Sequence, residues 1–587
     1  MNLPNLLAHQ ARKFPHKEGI VTPNERITYK EWDHCVNKLA HSLRQLGIHR
    51  GDKVVLHMPN TKEFLITYFV VQRLGALIVP INARLVGNEV DYILGNCDAT
   101  MFITHEWLFN QVAELSKKKG ITFVKTGSRV GNWYSWEELL ENGNDEEIIC
   151  LLHEDEEASI LYTSGTTGKP KGVVFTHRSI LAVASMICIE MNVKPDSRIL
   201  HMMPLSHSAP LHLFMGAGIY TGATHITVPT FTPELLLETV EKELITHFLG
   251  APIAYLMSAR HPNIHQYDLS SMECWVYGGA PLAPKEVEFL KTLFTTGKLI
   301  GVYGLTEGGP NGTLLEHDDH EEKAGSIGKR AALHCEIRLV DEHGNDVKQG
   351  EVGEIIIRSE GNMKGYYNDP AKTAETLRDG WIYTGDLARQ DEDGFYWIVD
   401  RKKDVIISGG VNVYPKEIED LLIQHPKIAD VAVIGVPHPD WGETVKAFIV
   451  LKGKMDDVKS ECTEFLQGKI ADYKIPKLYE VVEALPRNAI GKILKNQYEL
   501  KTLLEQIKSL KQMPENIQTY YCKKIGKKMT DIYESTVALE QLATGDERQQ
   551  AIAKVFLHGL WSEERLETEP VVLKYFDIIT NQTTVQI

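Results

Sequence analysis

The sequence predicts an α/β protein with a large N-terminal domain of mostly parallel sheet, a small C-terminal α+β domain and a C-terminal extension. Three observations predict it. A chain of 587 residues exceeds a single hydrophobic core, given about 150 residues per domain. Short apolar runs alternate with helix-like spacing through its first half, and this rhythm changes twice, near Gly325 and again after Asp404.

In order along the chain, KVVLH at 53–57 predicts a strand, Asn60 followed by Glu63 a helix start with a near capping box, and ALIVPI at 76–81 a second buried strand. The same alternation returns with a strand at Thr227–Pro229, a helix at Pro233–Leu244 and a strand at Cys274–Tyr277 before the turn GGAP, 278–281. From Gly325 the strands shorten and turn signals separate them: Glu336–Val340, the turn DEHG at 341–344, then Gly353–Arg358, an antiparallel pattern. Beyond DEDGFYWIVDRKKD at 391–404, a helix near Pro415 and strands at Val431–Val436, Thr444–Leu451 and Tyr479–Val482 predict a separate small domain. The charged run Arg401–Asp404 is the boundary candidate, giving domains 1–402 and 403–505 and an extension 506–587 with helical spacing over 531–558.

Composition narrows the function classes. Hydrophobic residues form 43% of the chain, and the net charge of −16 argues against general affinity for nucleic acid or anionic membrane. The first residues lack the apolar stretch of a secretory signal, and the apolar run Phe64–Val71 is stopped by Gln72 and Arg73, short of the roughly 18 residues that span a bilayer. Eight cysteines are scattered singly, without a C-x-x-C pair, which predicts a reducing cytoplasm and no structural metal.

The stretch YTSGTTGKPKG at 162–172 invites comparison with the phosphate-binding P-loop, and the comparison fails. Two residues, not four, separate Gly165 from Gly168, and Pro170 follows Lys169 where a hydroxyl is needed for magnesium. The hydroxyls of Thr163, Ser164, Thr166 and Thr167, with Gly165, Gly168 and the cations Lys169 and Lys171, still suit an anion cradle. Flanking strands at 158–162 and 172–176 make it a turn between strands. Taken alone, such a loop is as readily a surface hairpin.

Four further stretches follow in order: YGLTE at 303–307, YTGD at 383–386, DRKKDVIISGGVNVYPKEIE at 400–419 and PRNAIGK at 486–492. With the loop they resemble the adenylate-forming superfamily of acyl-CoA synthetases, aryl-CoA ligases, luciferases and peptide-synthetase adenylation domains, over residues 1–505. The resemblance implies an N-terminal AMP-binding domain of parallel α/β sheets plus a distorted β-barrel subdomain, and a mobile C-terminal domain. It implies that a carboxylate attacks the α-phosphate of ATP, releasing pyrophosphate, and that the CoA thiol then displaces AMP, with magnesium assisting.

The resemblance assigns roles residue by residue. Thr163, Ser164, Gly165, Thr166, Thr167, Gly168 and Lys171 would hold phosphates; Thr306 the α-phosphate; Glu307, with Thr167, the magnesium. Tyr303, Gly304 and the turn Gly279-Ala280-Pro281 would enclose the adenine, Asp386 and Arg401 the ribose, and Lys492 would be the catalytic lysine. Lys403 matches the hinge, and Ser408-Gly409-Gly410 the loop lining the pantetheine tunnel of CoA. His207, Tyr277, Gly308 and Gly309 are candidate walls of the acid pocket, with Ala251-Pro252. None of these stretches holds an arginine or lysine to pair a second carboxylate, which favours an apolar monocarboxylate.

Overall the chain is most similar to bacterial fatty-acyl-CoA ligases, with Tyr277 in place of the serine common before GGAPL. An aryl- or other carboxylate-CoA ligase, or an acyl-AMP ligase loading a carrier protein, stays open, as does a homodimer. A catalytically silent binding module is the remaining alternative, disfavoured by the presence of Lys492, Glu307 and Asp386 together. The extension 506–587 departs from the family and carries no motif.

Overall fold

The alternation of the first half becomes two mostly parallel sheets in the computed structural model, which describes residues 2–149, 151–163, 170–408, 411–438, 441–487, 493–495, 497–499 and 501. The chain forms two compact units, one reaching to Thr163 and from Lys171 to Ile398, the other holding Pro170 and the described residues from Val399 on, with a division after Ile398. It falls inside the strand Tyr396–Arg401.

The first unit holds three sheets. One has eight strands, in the order 365–366, 171–176, 157–163, 77–81, 53–57, 101–104, 122–125 and 134–135. Its core is parallel, and strands 157–163 and 171–176 add an antiparallel edge. A nine-stranded sheet runs 330–331, 313–315, 298–303, 274–278, 247–250, 198–201, 224–227, 18–21 and 26–28, again parallel inside and antiparallel at both edges. From Cys335 to Gln390 four strands pair antiparallel, matching the change of rhythm in the sequence.

The apolar run that stops short of a membrane span is a core helix. Lys62–Arg73 buries every residue from Phe64 to Arg73. Its terminal cation survives burial because Arg73 donates to Asp33 (2.7 Å), to Asn37 (2.8 Å) and to the carbonyl of Pro4. The cap is Thr61, whose hydroxyl accepts from Phe64 N. Asn60, expected at that start, is instead buried and fixes a neighbouring loop: its amide donates to the carbonyls of His201 and Met203 and its oxygen accepts from Leu205 N. Among the described residues no helix is long and apolar enough to cross a membrane.

The second unit is a smaller α+β body. Strands 411–413, 406–408, 442–451 and 428–438 pair antiparallel in that order, and 478–481 runs parallel beside 442–451. Helices Pro415–Leu422 and Val458–Leu466 cover the sheet with Ile418, Leu422, Cys462 and Leu466 against Val431, Val433, Val445 and Ala447. The expected strand at 479–482 is displaced by one residue, and those at 431–436 and 444–451 extend further than the apolar pattern indicates.

Candidate active site

The loop expected to cradle phosphate is flanked by residues in register. Thr163 closes the strand Glu157–Thr163 and pairs with Lys171, the first residue of Lys171–Thr176. Gly172 permits this close return, since a Cβ there would lie 2.7 Å from Ile160. Ser164, Gly165, Thr166, Thr167, Gly168 and Lys169 lie outside the described residues, as do Gly409, Gly410 and Lys492 and the extension from 502 on. Lys171 is described: its ammonium sits 5.6 Å from the centre of the Tyr366 ring, and burial holds its pKa below the ordinary lysine value. An anion placed there would relieve that desolvation.

YGLTE follows the strand Lys298–Tyr303 into a single 3-10 turn, Thr306–Gly308. The Thr306 hydroxyl lies 3.0 Å from that of Ser208. Glu307 is held twice, its carbonyl accepting from Met363 N (2.8 Å) and its Oε1 from the Tyr366 hydroxyl (2.8 Å). The turn closes on Gly309, whose φ of 74° lies in the left-handed region. A Cβ on Gly309 would meet the Gly361 carbonyl oxygen at 2.1 Å, and one on Gly304 the Pro310 oxygen at 2.6 Å. Gly304 and Gly309 answer to close backbone packing, and Gly308 and Gly309, the candidate walls, are both buried.

Asp386 joins the same region from the strand Trp381–Gln390. It is 5% exposed; its Oδ2 accepts from the Tyr303 hydroxyl (2.8 Å) and its backbone N–H donates to Thr384 Oγ1. The ring expected against adenine is therefore tied to the carboxylate expected on the ribose, which fixes both groups. Gly279 has a φ of 81° and a Cβ there would meet nothing, so conformation alone asks for glycine in the exposed turn with Ala280 and Pro281.

His207 sits ahead of a π-helical segment, Ala209–Met215, and its Nε2 lies 3.3 Å from the Asn82 amide nitrogen. Burial lowers its pKa, so the ring is a neutral hydrogen-bonding group. Tyr277 departs from expectation. Its side chain shares a face of its strand with Trp275, its hydroxyl lies 2.9 Å from His320 Nε2, and His320 Nδ1 lies 2.7 Å from the Glu316 carbonyl oxygen. The alternate residue, Val276, faces the cluster of Leu213, Phe214 and Ala217 that follows His207. Period-two alternation puts Tyr277 and Val276 on opposite faces, Tyr277 with Trp275 and Val276 against that second cluster. Ser208 was noted in the sequence only as a small neighbour of His207, not as a partner of Thr306, and Tyr366, Asn82 and Val276 were not singled out; the alternation of CWVYG could have found Val276, and no local signal marks the other two.

In the second unit, Asp400 is 5% exposed and burial raises its pKa to about 6. Its carboxylate accepts from the backbone N–H groups of Arg401 and Lys416. Lys495, three positions beyond Lys492, reaches Glu419 at 2.7 Å and adds its charge to Asp400 and Asp404. The side chain of Lys403 is 42% exposed, and that of Lys495 is 17% exposed. Replacing Lys495 with methionine is expected to leave Glu419 and Asp400 uncompensated, at a cost of about 3 kcal/mol to this unit. Amide exchange in strand Gly442–Leu451 should then accelerate by about two orders of magnitude; an unchanged rate would dismiss the linkage.

The model of the AMP-binding enzyme family matches residues 7–367, and that of the AMP-binding enzyme C-terminal domain matches residues 417–492. The chain belongs to the AMP-binding enzyme family. This AMP-binding enzyme is 34% identical over 533 residues to a long-chain-fatty-acid–CoA ligase of Bacillus subtilis, covering 84% of this chain and 93% of that protein. It is 35% identical over 521 residues to an indoleacetate–CoA ligase of Aromatoleum aromaticum, covering 86% of this chain and 100% of that one. Among solved structures, a Mycobacterium tuberculosis fatty acyl CoA synthetase matches with a TM-score of 0.70 and 31% identity over 85% of this chain and 98% of that one. The AMP-binding enzyme described here is an acid–thiol ligase of the AMP-forming type, acting as an acyl- or aryl-CoA ligase on a carboxylic acid, ATP and CoA with magnesium.

Proposed function

We propose that this enzyme ligates an apolar monocarboxylic acid to CoA, with a medium- or long-chain fatty acid as the first candidate. The observation that supports this reading is the burial of His207, which keeps its ring neutral, so that it offers no cation for a second carboxylate; Leu213, Phe214 and Ala217, which follow it in the chain, pack with Val276 in a buried apolar cluster. A second reading, an aryl acid, is favoured by relatives named feruloyl-CoA synthase and indoleacetate–CoA ligase at comparable identity.

In this reading the acid enters ionised and its oxygen attacks the α-phosphorus as pyrophosphate leaves. Two anions must approach, so the chain's own work is to supply cations and directed donors. Lys171 and the Thr306 hydroxyl face the phosphates, Asp386 accepts from the ribose hydroxyls, and Tyr303 holds Asp386 in place. Arg401, Lys403 and the loop from Ser408, all in the second unit, are assigned to the ribose, the hinge and the CoA path, and Lys492 to the transferring oxygen. Glu307 fits a hard divalent ion, since it presents a carboxylate whose Oε1 is already fixed by Tyr366. Bound magnesium supplies charge neutralisation on the phosphates.

A cytoplasmic location belongs to the same proposal, supported by cysteines scattered singly; Cys35, Cys97, Cys188, Cys274, Cys335 and Cys462 are free. A homodimer is read directly by light scattering.

The test is pyrophosphate release with ATP and magnesium over aliphatic C2 to C16 acids and aromatic acids, each with and without CoA. Turnover of medium or long aliphatic acids to acyl-CoA is the expected result. Turnover confined to aromatic acids selects the second reading, and product formation only with a carrier protein in place of CoA overturns both.

A further inference from the structure

Tyr366 is where three parts of the candidate site converge. Strand Gly365–Tyr366 pairs antiparallel with the strand leaving the phosphate loop, Tyr366 opposite Val173. That pairing sets the ring beside Lys171, 5.6 Å from its ammonium, while the hydroxyl donates to Glu307 Oε1 at 2.8 Å. The backbone is secured as well: Tyr366 N donates to Thr373 Oγ1 (2.9 Å), and that hydroxyl donates to the Asp369 carbonyl (2.8 Å). Glu307 is gripped from the same segment through Met363 N. Burial, and then the Glu307 charge, hold the phenol pKa well above its ordinary value, so the hydroxyl stays a donor.

We propose that Tyr366 is a positioning residue for the magnesium–nucleotide half of the reaction, its hydroxyl orienting the Glu307 carboxylate and its ring face seating the Lys171 ammonium. The inference rests on the reading of Glu307 as the magnesium ligand. With the phenol on Oε1, Oε2 would be the oxygen left to hold the ion, the role that outer hydrogen bonds commonly play for metal-binding carboxylates. Without the hydroxyl, Glu307 is free to rotate toward Lys171, whose charge it already feels, and that ion pair competes with the metal. The ring contributes separately: an ammonium over an aromatic face keeps its charge while losing part of its water.

The experiment compares the natural enzyme, Tyr366→Phe and Glu307→Gln. Two quantities are read for each: the free magnesium giving half-maximal pyrophosphate release, and the rate of thioester formation from supplied acyl-adenylate and CoA. The second reaction has no pyrophosphoryl leaving group, so a defect in metal placement leaves it alone. Tyr366→Phe is expected to raise the magnesium requirement by about tenfold, with the thioester rate within twofold of the natural enzyme.

An unchanged magnesium requirement in Tyr366→Phe, with Glu307→Gln raising it, overturns the inference and keeps the reading of Glu307. An unchanged requirement in Glu307→Gln removes that reading and the inference with it. Equal loss in both half-reactions assigns Tyr366 to the fold alone and also overturns the proposal.

Discussion

Gly309→Ala is expected to lower pyrophosphate release by at least about 100-fold. A methyl group at this position meets two obstacles. The φ of 74° costs an alanine about 1 kcal/mol or more. The new Cβ would also lie 2.1 Å from the Gly361 carbonyl oxygen, so one of the two backbones must move. Either movement reaches the chemistry, because Gly309 N donates to the Thr306 carbonyl and Met363, two residues beyond Gly361, holds the Glu307 carbonyl. Gly308→Ala is the matched control: its φ is not left-handed, and the nearest atom is the end of the flexible Leu305 side chain at 3.3 Å. Near-natural activity in Gly309→Ala would sink the argument, whereas a large difference between the neighbouring variants would support it.

The first unit is expected to lose stability steeply as pH falls from 6.5 toward 4.5. Burial lowers the pKa of His57, His177 and His320 to about 4 and of His201 and His212 to about 3. Each is depressed below the ordinary value of 6.5, so unfolding takes up protons in this range. The contribution is fully present above pH 6.5 and is lost as pH falls toward the folded values. Each group adds a slope of about 1.4 kcal/mol per pH unit within its window, and the five act on one unit. His212 is the informative case, since it is fully buried with both ring nitrogens lacking a hydrogen-bond partner. His212→Leu should therefore flatten the dependence of Tm on pH. A Tm unchanged between pH 7 and pH 5 would falsify the assignment of these rings as neutral.

The architecture was legible wherever one signal dominated. Alternating apolar runs place the parallel strands at 53–57 and 274–278, and the turns after Gly325 mark the antiparallel sheet. Boundaries were less legible when two residues competed for one role. Asn60 and Thr61 are both good caps, and only the demand of a neighbouring loop for three hydrogen bonds assigns Asn60 elsewhere. The motifs located Thr306, Glu307, Tyr303 and Asp386, and the structure brings Tyr303 to Asp386. What holds them was hidden, because Ser208 is 98 residues from Thr306 and Tyr366 is 59 from Glu307. Such partners are chosen by the fold, and no local pattern announces them. Tyr277 drew notice by its size, ahead of the alternation that sets it and Val276 on opposite faces of their strand.

The contact between Tyr277 and Gly301 limits how this protein can change. Their strands pair at these two positions, and a Cβ on Gly301 would lie 2.8 Å from the Tyr277 hydroxyl and 3.3 Å from Leu315 Cβ. The phenol thus occupies the space a side chain at 301 would need, with His320 at its far end. Variation at either position is conditional on the other: a library that randomises them singly will meet two apparent dead ends, whereas one that trades bulk between them has a route through.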